Sequence, residues 1–468
     1  MQTNPVLLLE INEVPWRIID TYRTDFPHID AFFKKAALWT SYCHDENELS
    51  PWVTWPTLHR GMTNTQHGVL NLGQAPQTFK GKAIWEELTA RGLNVGVCGS
   101  LQSWPPTDPG RGGFFVPDTF AHDSRCLPDW VMPIQEFNLS QVAANGRVLD
   151  SKLGRFGDLL KLAPALLKAL RFKTVFAIVK QLIGERLDRT KLSRRPIFQT
   201  ILFWDVFLKL FDSKNPPALS TFFTNHIAGV MHRYWNHLYP GDFASPPKTL
   251  EQRETMHFAM SVLDGMLADV EGWTKKNPNL SVIFATSMGQ AAIVRDDHSG
   301  IELSAECSEL MRALGFAKED FSPLLAMVPQ IALETNSDET LRKIRRSLTS
   351  CKTRSNRDLF RVETQGSSLS ITVLTPPLED IEAGNFSCGD RTLTWAEAGI
   401  KKNMVDPGTA YHIPEGIFAV AGPAAAVFRP KQARALIDSD RIKEPLLAYI
   451  SGEQPLLNEI STSVTLSP

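Results

Sequence analysis

The chain has 468 residues, of which 43% are hydrophobic and 21% are charged, and its formal net charge is −2. This length allows one large α/β domain with insertions or two domains, and the small net charge gives no general attraction to nucleic acid. No uninterrupted apolar run reaches the roughly 18 residues of a membrane span. The opening apolar run, Val6–Leu9, is too short for a signal peptide, and the six cysteines lack metal-ligand spacing. We therefore expect a globular, cytoplasmic protein.

The first hundred residues alternate between strand and helix patterns. Val6–Ile11 is a short apolar run that predicts a buried parallel strand, and polar residues follow at its carboxyl end, where open α/β sheets bind ligands. The elements predicted next are a helix over Pro27–Trp39, a helix from Ser50-Pro51 to Gly61, a helix over Ala83–Arg91 and a strand over Leu93–Cys98. This order is typical of a parallel sheet with helices on its faces.

Residues 150–215 have a different, basic and helical pattern. Twelve Lys and Arg residues against three acidic residues give Lys152–Arg195 a charge of +9. The pattern predicts an inserted helical cap, which is either a solvated insertion or a surface for an anionic membrane or a polyanionic substrate. We therefore divide the chain into the first part of the core (1–149), the cap (150–215) and the remainder of the core (216–468).

The remainder of the core returns to alternating strands and helices. The predicted elements are a strand over Leu219–Phe223, a helix over Thr255–Trp273, a strand over Leu280–Ala285 and a late strand over Ile413–Val420. Residues 300–395 predict a smaller α+β region.

Five segments, in this order, resemble the alkaline phosphatase superfamily, nearest its type I phosphodiesterase and sulfatase-like branch. They are VLLLEINE (6–13), LHRGMTNTQHGV (58–69), AIWEELTARGLNVGVCGSLQSWPP (83–106), SVIFATSMGQ (281–290) and YHIPEGIFAVAGP (411–423). The resemblance spans about residues 5–425, except the cap and 300–395. It implies a three-layer α/β/α core with a mostly parallel central sheet. It also implies phosphoryl or sulfuryl transfer by two divalent metals and a Thr, Ser or modified Cys nucleophile.

The resemblance places two catalytic groups near the amino terminus. Glu10 stands where the superfamily has its first metal-binding Asp. The nucleophile has two candidates, because Thr54 lies in a matching Thr-Trp-Pro motif, whereas the spacing to Gly61 selects Ser50. Ser50 also occupies the predicted helix N-cap, where the helix dipole favours an anion.

The resemblance also points to an incomplete metal-ligand set. His226 or His232 matches one His ligand, Asn225 or His226 replaces an Asp, and His412 matches the last ligand. Ser287 and Met288 stand where the superfamily has Asp and His, and methionine is too soft to hold zinc or magnesium there. We therefore expect one divalent metal (Zn, Mn or Mg) or none, with Asn12, Asn225 and Ser287 as substrate-binding residues.

Three functions remain open from the sequence. The first is a hydrolase or transferase that acts on a phosphate or sulfate ester or a phosphodiester, whose substrate is an anionic small molecule, a lipid-linked molecule or a glycan. The second is a catalytically degenerate binding or scaffold protein of the same fold. The third is a peripheral membrane protein that uses the helices of residues 152–210. No sequence feature predicts the oligomeric state.

Overall fold

The computed structural model describes residues 3–46, 49–143, 156–244, 247–293, 301–326, 330–404 and 408–455. The chain forms two compact units. The first comprises Met1–His67, Gly81–Ile293 and Thr409–Pro468, and the second comprises Gly68–Lys80 and Val294–Gly408. The predicted boundary at 149–150 lies outside the described residues, so the division into core, cap and α+β region stays a prediction.

The strands of the described residues are as follows: β1 (Val6–Ile11), β2 (Ala37–Tyr42), β3 (Val95–Cys98), β4 (Phe114–Val116), β5 (Leu219–Thr224), β6 (Ser281–Ala285), β7 (Gly289–Ala292), β8 (Ile301–Ala305), β9 (Phe321–Leu324), β10 (Gln330–Thr335), β11 (Cys351–Thr353), β12 (Phe360–Gln365), β13 (Ser368–Val373), β14 (Asn385–Cys388), β15 (Arg391–Thr394), β16 (Ile400–Met404), β17 (Ala410–Ile413), β18 (Phe418–Ala421) and β19 (Ala435–Asp438).

The α-helices of the described residues are as follows: α1 (Trp16–Tyr22), α2 (Pro27–Lys35), α3 (Pro51–Arg60), α4 (Asn64–His67), α5 (Ile84–Ala90), α6 (Met132–Ala143), α7 (Phe156–Ala169), α8 (Phe172–Leu187), α9 (Arg195–Leu210), α10 (His226–Leu238), α11 (Arg253–Lys276), α12 (Cys307–Leu314), α13 (Asp338–Thr349), α14 (Leu378–Ala383), α15 (Ala424–Val427) and α16 (Lys443–Ile450). None of these helices combines the length and the apolar character that crossing a bilayer requires.

The first unit is built on an eight-stranded sheet in the order β19-β2-β18-β6-β1-β5-β3-β4. Its strand pairs are parallel except those of β18, which runs antiparallel to β2 and β6. The prediction of an α/β fold with a mostly parallel central sheet is therefore confirmed.

Helices cover both faces of this sheet, because side chains alternate along each strand. Leu7, Leu9 and Ile11 of β1 join a core with α1, α2, α9, α10 and α11. Val6 and Leu8 join a second core with α3, α5 and α16. The result is the three-layer arrangement that the sequence resemblance implies, and it gathers the carboxyl ends of β1, β5 and β6 at one edge.

Two element predictions are wrong in their bounds. The helix predicted over Pro27–Trp39 ends at Lys35, because Ala37–Tyr42 instead pairs with β18 and β19 as a sheet strand. The late strand predicted over Ile413–Val420 is divided into β17 and β18. Pro414, which lies between them, has no amide hydrogen for a strand ladder.

The second unit contains antiparallel sheets and helices around its own hydrophobic core. One sheet has the order β12-β13-β10-β9, a second has the order β11-β14-β15, and β8 pairs with β16. Helices α12, α13 and α14 contribute buried apolar side chains to this core. The region predicted to be α+β, residues 300–395, lies within this unit.

Candidate functional site

Three side chains from distant parts of the chain converge in the first unit. Glu13 lies just after β1, His232 lies in α10 and His412 lies in β17. The Nε2 atoms of His232 and His412 lie 2.9 and 3.3 Å from Oε2 of Glu13. One ligand atom from each residue lies within 4.8 Å of the others. We call this group the Glu13 cluster.

The backbone determines which ring nitrogen of each histidine faces Glu13. Nδ1 of His412 lies 2.6 Å from the carbonyl oxygen of Leu49, and Nδ1 of His232 lies 2.9 Å from that of Ala410. A carbonyl oxygen can only accept, so both Nδ1 atoms carry the proton. Each Nε2 atom therefore either carries a second proton or offers a lone pair to a cation.

Glu13 is held as a carboxylate in a buried position. Burial alone would raise its pKa, but the charges and hydrogen bonds of His412 and His232 lower the pKa well below its usual value of 4.5. Asn12 Nδ2 donates to Oε1 at 2.6 Å, and Gln290 Nε2 donates to Oε2. The backbone of Glu13 has a φ of 61°, a left-handed conformation that non-glycine residues rarely adopt and that is often found at functional sites.

Gln290 is placed by the same strand pair as His412. The two residues are opposite each other in the antiparallel β7–β17 pair. Gln290 is 1% exposed, and its Oε1 atom is buried without a hydrogen-bond partner among the described residues. A buried amide oxygen without a hydrogen-bond partner lowers the stability of the fold. The position of Gln290 beside Glu13 therefore leaves one of its own polar atoms unsatisfied.

The Glu13 cluster is open on the side of His232. The side chain of His232 is 31% exposed, whereas those of His412 and Glu13 are 8% and 2% exposed. The Tyr411 ring lies 4.4 Å from the His412 ring and 6.3 Å from the His232 ring, measured between centroids. A ligand can therefore approach from the His232 side, along Tyr411.

The donor set of the Glu13 cluster fits one divalent metal. Two imidazoles and one carboxylate are the protein ligands of many catalytic zinc sites, which keep a fourth position open. Two ligand atoms on one tetrahedral zinc ion lie about 3.4 Å apart, close to the observed 2.9 and 3.3 Å. The carbonyl groups of Leu49 and Ala410 orient the imidazoles in the way that second-shell partners of metal-binding histidines do.

Glu10, the carboxylate predicted to be catalytic, lies elsewhere. Its Oε1 atom lies 2.8 Å from Nε2 of His59, and both side chains are almost fully buried. The His59 ring packs against the rings of Trp55 and Trp85. Oε2 of Glu10 and Nδ1 of His59 have no hydrogen-bond partner among the described residues. The Glu10–His59 pair is therefore a closed arrangement, in contrast to the Glu13 cluster.

The two candidate nucleophiles have different surroundings. Thr54 is fully buried one turn into α3, and its hydroxyl shares a hydrogen bond of 2.8 Å with Ser287. Ser50 is the N-cap residue of α3, but its side chain forms no capping hydrogen bond. Its neighbour Leu49 supplies the carbonyl group that binds His412. The amino-terminal end of α3 thus adjoins the Glu13 cluster, and Ser50 is the candidate that lies there.

The remaining predicted site residues lie around β1 and β5. Asn12 connects Trp55, Asn225 and Glu13, because its Oδ1 accepts from the indole and its Nδ2 donates to the other two. His226 is not part of the Glu13 cluster. Its ring nitrogens contact Thr224 and the carbonyl oxygen of Ala259, and burial lowers its pKa to about 4.

Of the predicted residues, the structure therefore brings together His232, His412 and Asn12 around Glu13. Sequence reasoning missed Glu13 and Gln290 as site residues. Glu13 carried one usable signal, its place among the polar residues at the end of β1. Gln290 carried none, because its role depends on the pairing of β7 with β17.

No protein-family model and no curated protein matches this chain. Among solved structures, it is similar to the murine ectonucleotide pyrophosphatase/phosphodiesterase 5, with 11% identity and a TM-score of 0.45 over 97% of this chain and 96% of that chain. An inactive form of the murine protein in complex with AMP gives the same values. The human protein of the same name shares 11% identity with a TM-score of 0.43, over 99% of this chain and 100% of that one.

Proposed function

We propose that this chain is a metal-dependent hydrolase or transferase for phosphate or sulfate esters, with a single divalent cation held by the Glu13 cluster. The observation that carries the proposal is the convergence of two imidazole Nε2 atoms on one ionised carboxylate, with both Nδ1 protons bound by backbone carbonyls. Without a cation, each ring must either be protonated, with the other ring 5.2 Å away between centroids, or present its Nε2 lone pair to a carboxylate. One cation satisfies all three groups.

The charge of such a site suits an anionic ester. Glu13 neutralises one of the two charges of a divalent cation, so a net positive charge remains for the substrate. The cation would supply Lewis-acid stabilisation of the negative charge that develops on a phosphoryl or sulfuryl oxygen. The exposed edge at His232 provides access for the ester.

Ser50 is the residue that the geometry favours as the nucleophile. It begins the ten-residue helix α3, and its hydroxyl is not used to cap that helix. The helix dipole at this end favours an anion beside Ser50. Both residues are buried, but Thr54 fits this role less well, because its hydroxyl is paired with Ser287.

The test combines metal analysis with turnover. The purified chain is stripped of metal, reloaded with Zn²⁺, Mn²⁺ or Mg²⁺, and assayed with chromogenic phosphate monoesters, phosphodiesters and sulfate esters. We expect one equivalent of metal and turnover of at least one ester class. His412→Ala should lose both, and Ser50→Ala should lose turnover while it keeps the metal. His28→Ala, at a partly exposed histidine paired with Glu271, is the matched control.

Two outcomes would contradict parts of this proposal. Loss of turnover in Thr54→Val, but not in Ser50→Ala, would identify Thr54 as the nucleophile. A wild-type chain that binds no metal at the Glu13 cluster would overturn the metal site itself.

A second candidate function is a binding protein without turnover. It is favoured by Ser287 and the buried Met288, which stand where the resemblance expects two metal ligands, and by the hydrogen bonds from Asn12 and Gln290 that already engage both oxygens of Glu13. Metal binding with no turnover of any ester class would support this alternative.

A further inference from the structure

Helix α8 (Phe172–Leu187) has an inverted amphipathic arrangement. Its large apolar side chains point to solvent, with Phe172, Phe176 and Leu187 exposed by 96%, 72% and 83%, and Ile183 and Leu182 exposed by more than half. The two buried residues of α8 are instead polar, Thr174 and Glu185, with the half-buried Ala177, Ile178 and Gln181 on the same side. A surface helix normally turns its apolar face to the core and its polar face to water. The exposed apolar face of α8 therefore indicates a binding surface for an apolar partner.

The exposed apolar residues form one continuous stripe. Their spacing of three and four residues, from 172 through 176, 179 and 183 to 187, keeps them on one side of the helix. Sixteen helical residues extend about 24 Å, and the stripe follows most of this length. The stripe is a convex surface formed by a single helix. Such a surface fits a partner with a broad apolar layer better than a partner with a narrow groove.

Basic side chains accompany this stripe. Lys173, Lys180, Arg186 and Arg189 are exposed and have no ion-pair partner among the described residues. From Phe172 to Arg195, seven Lys and Arg residues stand against two acidic residues, which gives this segment a charge of +5, whereas the whole chain carries −2. Helix α8 and the turn that follows it are therefore basic.

An arginine-lined cleft lies at the carboxyl end of α8. It has a volume of about 580 Å³ and is lined by Arg186, Arg189 and Arg195, with Leu182, Leu192 and Glu185. Arg195 is paired with Glu185 at 2.8 Å, which leaves Arg186 and Arg189 to bind an anion. Arginine binds phosphate groups through parallel hydrogen bonds.

We infer that α8 is a membrane-docking helix that lies in the surface of an anionic bilayer, with its apolar stripe among the acyl chains and a lipid phosphate group in the arginine-lined cleft. Bulky apolar residues on one face and basic residues beside them are the features of helices that lie in the interface. A second copy of this chain is disfavoured as the occupant, because two equally basic faces repel each other. This inference does not depend on the proposed metal site.

The test measures binding of the full chain to vesicles. Vesicles of phosphatidylcholine alone are compared with vesicles in which a third of the lipid is phosphatidylglycerol, by co-sedimentation at low and high salt. We expect binding to the anionic vesicles at least roughly tenfold tighter than to the neutral ones, and weaker at high salt, since basic residues near an anionic surface contribute to binding.

Two pairs of substitutions separate the stripe from the cleft. Phe172→Ser with Phe176→Ser should weaken binding by roughly tenfold or more, because two large apolar side chains are lost. Arg186→Gln with Arg189→Gln should weaken binding to anionic vesicles roughly 25-fold, about fivefold per arginine, and leave binding to neutral vesicles unchanged. All four side chains are exposed, so the fold should be retained, as circular dichroism can verify.

Matched controls come from the second unit. Leu378→Ser changes an exposed leucine, and Arg342→Gln with Arg345→Gln removes two exposed arginines from α13. Both should bind vesicles like the wild type. The inference is overturned if the wild type does not bind anionic vesicles, or if the stripe variant binds as well as the controls. It is also overturned if light scattering shows that the stripe variant converts a dimer into a monomer without any vesicle binding.

Discussion

Strand β1 leads into two carboxylates, Glu10 and Glu13, whose surroundings are opposite. Glu10 meets one histidine in a closed space beside the rings of Trp55 and Trp85, and one of its oxygens has no hydrogen-bond partner among the described residues. Four side chains contact the carboxylate of Glu13, namely Asn12, Gln290, His232 and His412. The side chain of His232 is 31% exposed.

This contrast shows that a carboxylate at a strand end does not by itself make a site. A site also needs several ligand-capable side chains, backbone groups that orient them, and access for a ligand. The Glu13 cluster has all three, whereas the Glu10–His59 pair has a single partner and no access. The Glu13 cluster can therefore bind a ligand, whereas the Glu10–His59 pair can only stabilise the fold.

The largest expected effect concerns the closed pair. Glu10→Ala would leave His59 without its partner in a buried position, and the free energy of unfolding should fall by about 3–5 kcal/mol. Urea unfolding measures this change. Glu251→Ala, at an exposed carboxylate, should stay within about 0.5 kcal/mol of the wild type. A loss below about 1 kcal/mol for Glu10→Ala would show that the pair does not stabilise the fold.

The buried His226, which lies in α10 like His232, should make the free energy of unfolding depend on pH. Burial lowers the pKa of His226 to about 4, from an ordinary value of 6.5. Its contribution to stability is therefore present above pH 6.5 and is lost as the pH falls through 4. The loss should be on the order of 3 kcal/mol.

Unfolding free energies between pH 8 and pH 4 should fall less steeply in His226→Gln than in the wild type. The difference between the two proteins is the relevant quantity, because burial also lowers the pKa of His67, to about 3. His28→Gln, at a partly exposed histidine, should keep the wild-type slope. Equal slopes in wild type and His226→Gln would contradict the closed position of His226.

Metal binding should separate the two carboxylates directly. Zn²⁺ at about 100 times its dissociation constant should raise the free energy of unfolding by about 2.7 kcal/mol. Glu13→Gln removes a charged ligand and should abolish this stabilisation, as isothermal titration and unfolding curves can show. Glu10→Gln should keep the wild-type metal affinity. An equal loss in both variants would mean that the cation does not distinguish the two carboxylates.

The smallest expected effect concerns the orientation of Glu13. Asn12→Ala removes the hydrogen bond to Oε1 of Glu13, and metal affinity should fall about 10- to 100-fold, as for other second-shell partners. Asn225→Ala removes only an outer contact of the Asn12 amide and should have a smaller effect. If both variants bind metal like the wild type, Asn12 does not position Glu13.

Local signals were sufficient for part of the fold. The bounds of α3 follow from Ser50 at the N-cap, Pro51 at the first helical position and Gly61, which has a φ of 63° at the carboxyl end. Each of these signals acts within one turn of the helix. The helix predicted over Pro27–Trp39 failed at its end because β2 forms by pairing with strands that lie far away in the chain.

The site was predicted only in part for the same reason. The motifs predicted His232 and His412, but they matched the first metal-binding Asp to Glu10 and not to Glu13. A turn with a left-handed residue at Glu13 and the β7–β17 pair bring the actual partners together. His226 was an equally good candidate in the sequence, and its burial against Thr224 and Ala259 depends on α10 packing on α11.

The sequence by itself determined the α/β class, the helix ends that carry caps and the strand ends where polar residues gather, because these depend on local spacing and local conformation. Only the tertiary structure decided which carboxylate meets two histidines and which face of α8 is turned to solvent. Residues 13, 232 and 412 are brought together by sheet pairing and helix packing, and the outward orientation of an apolar stripe depends on what its opposite face binds.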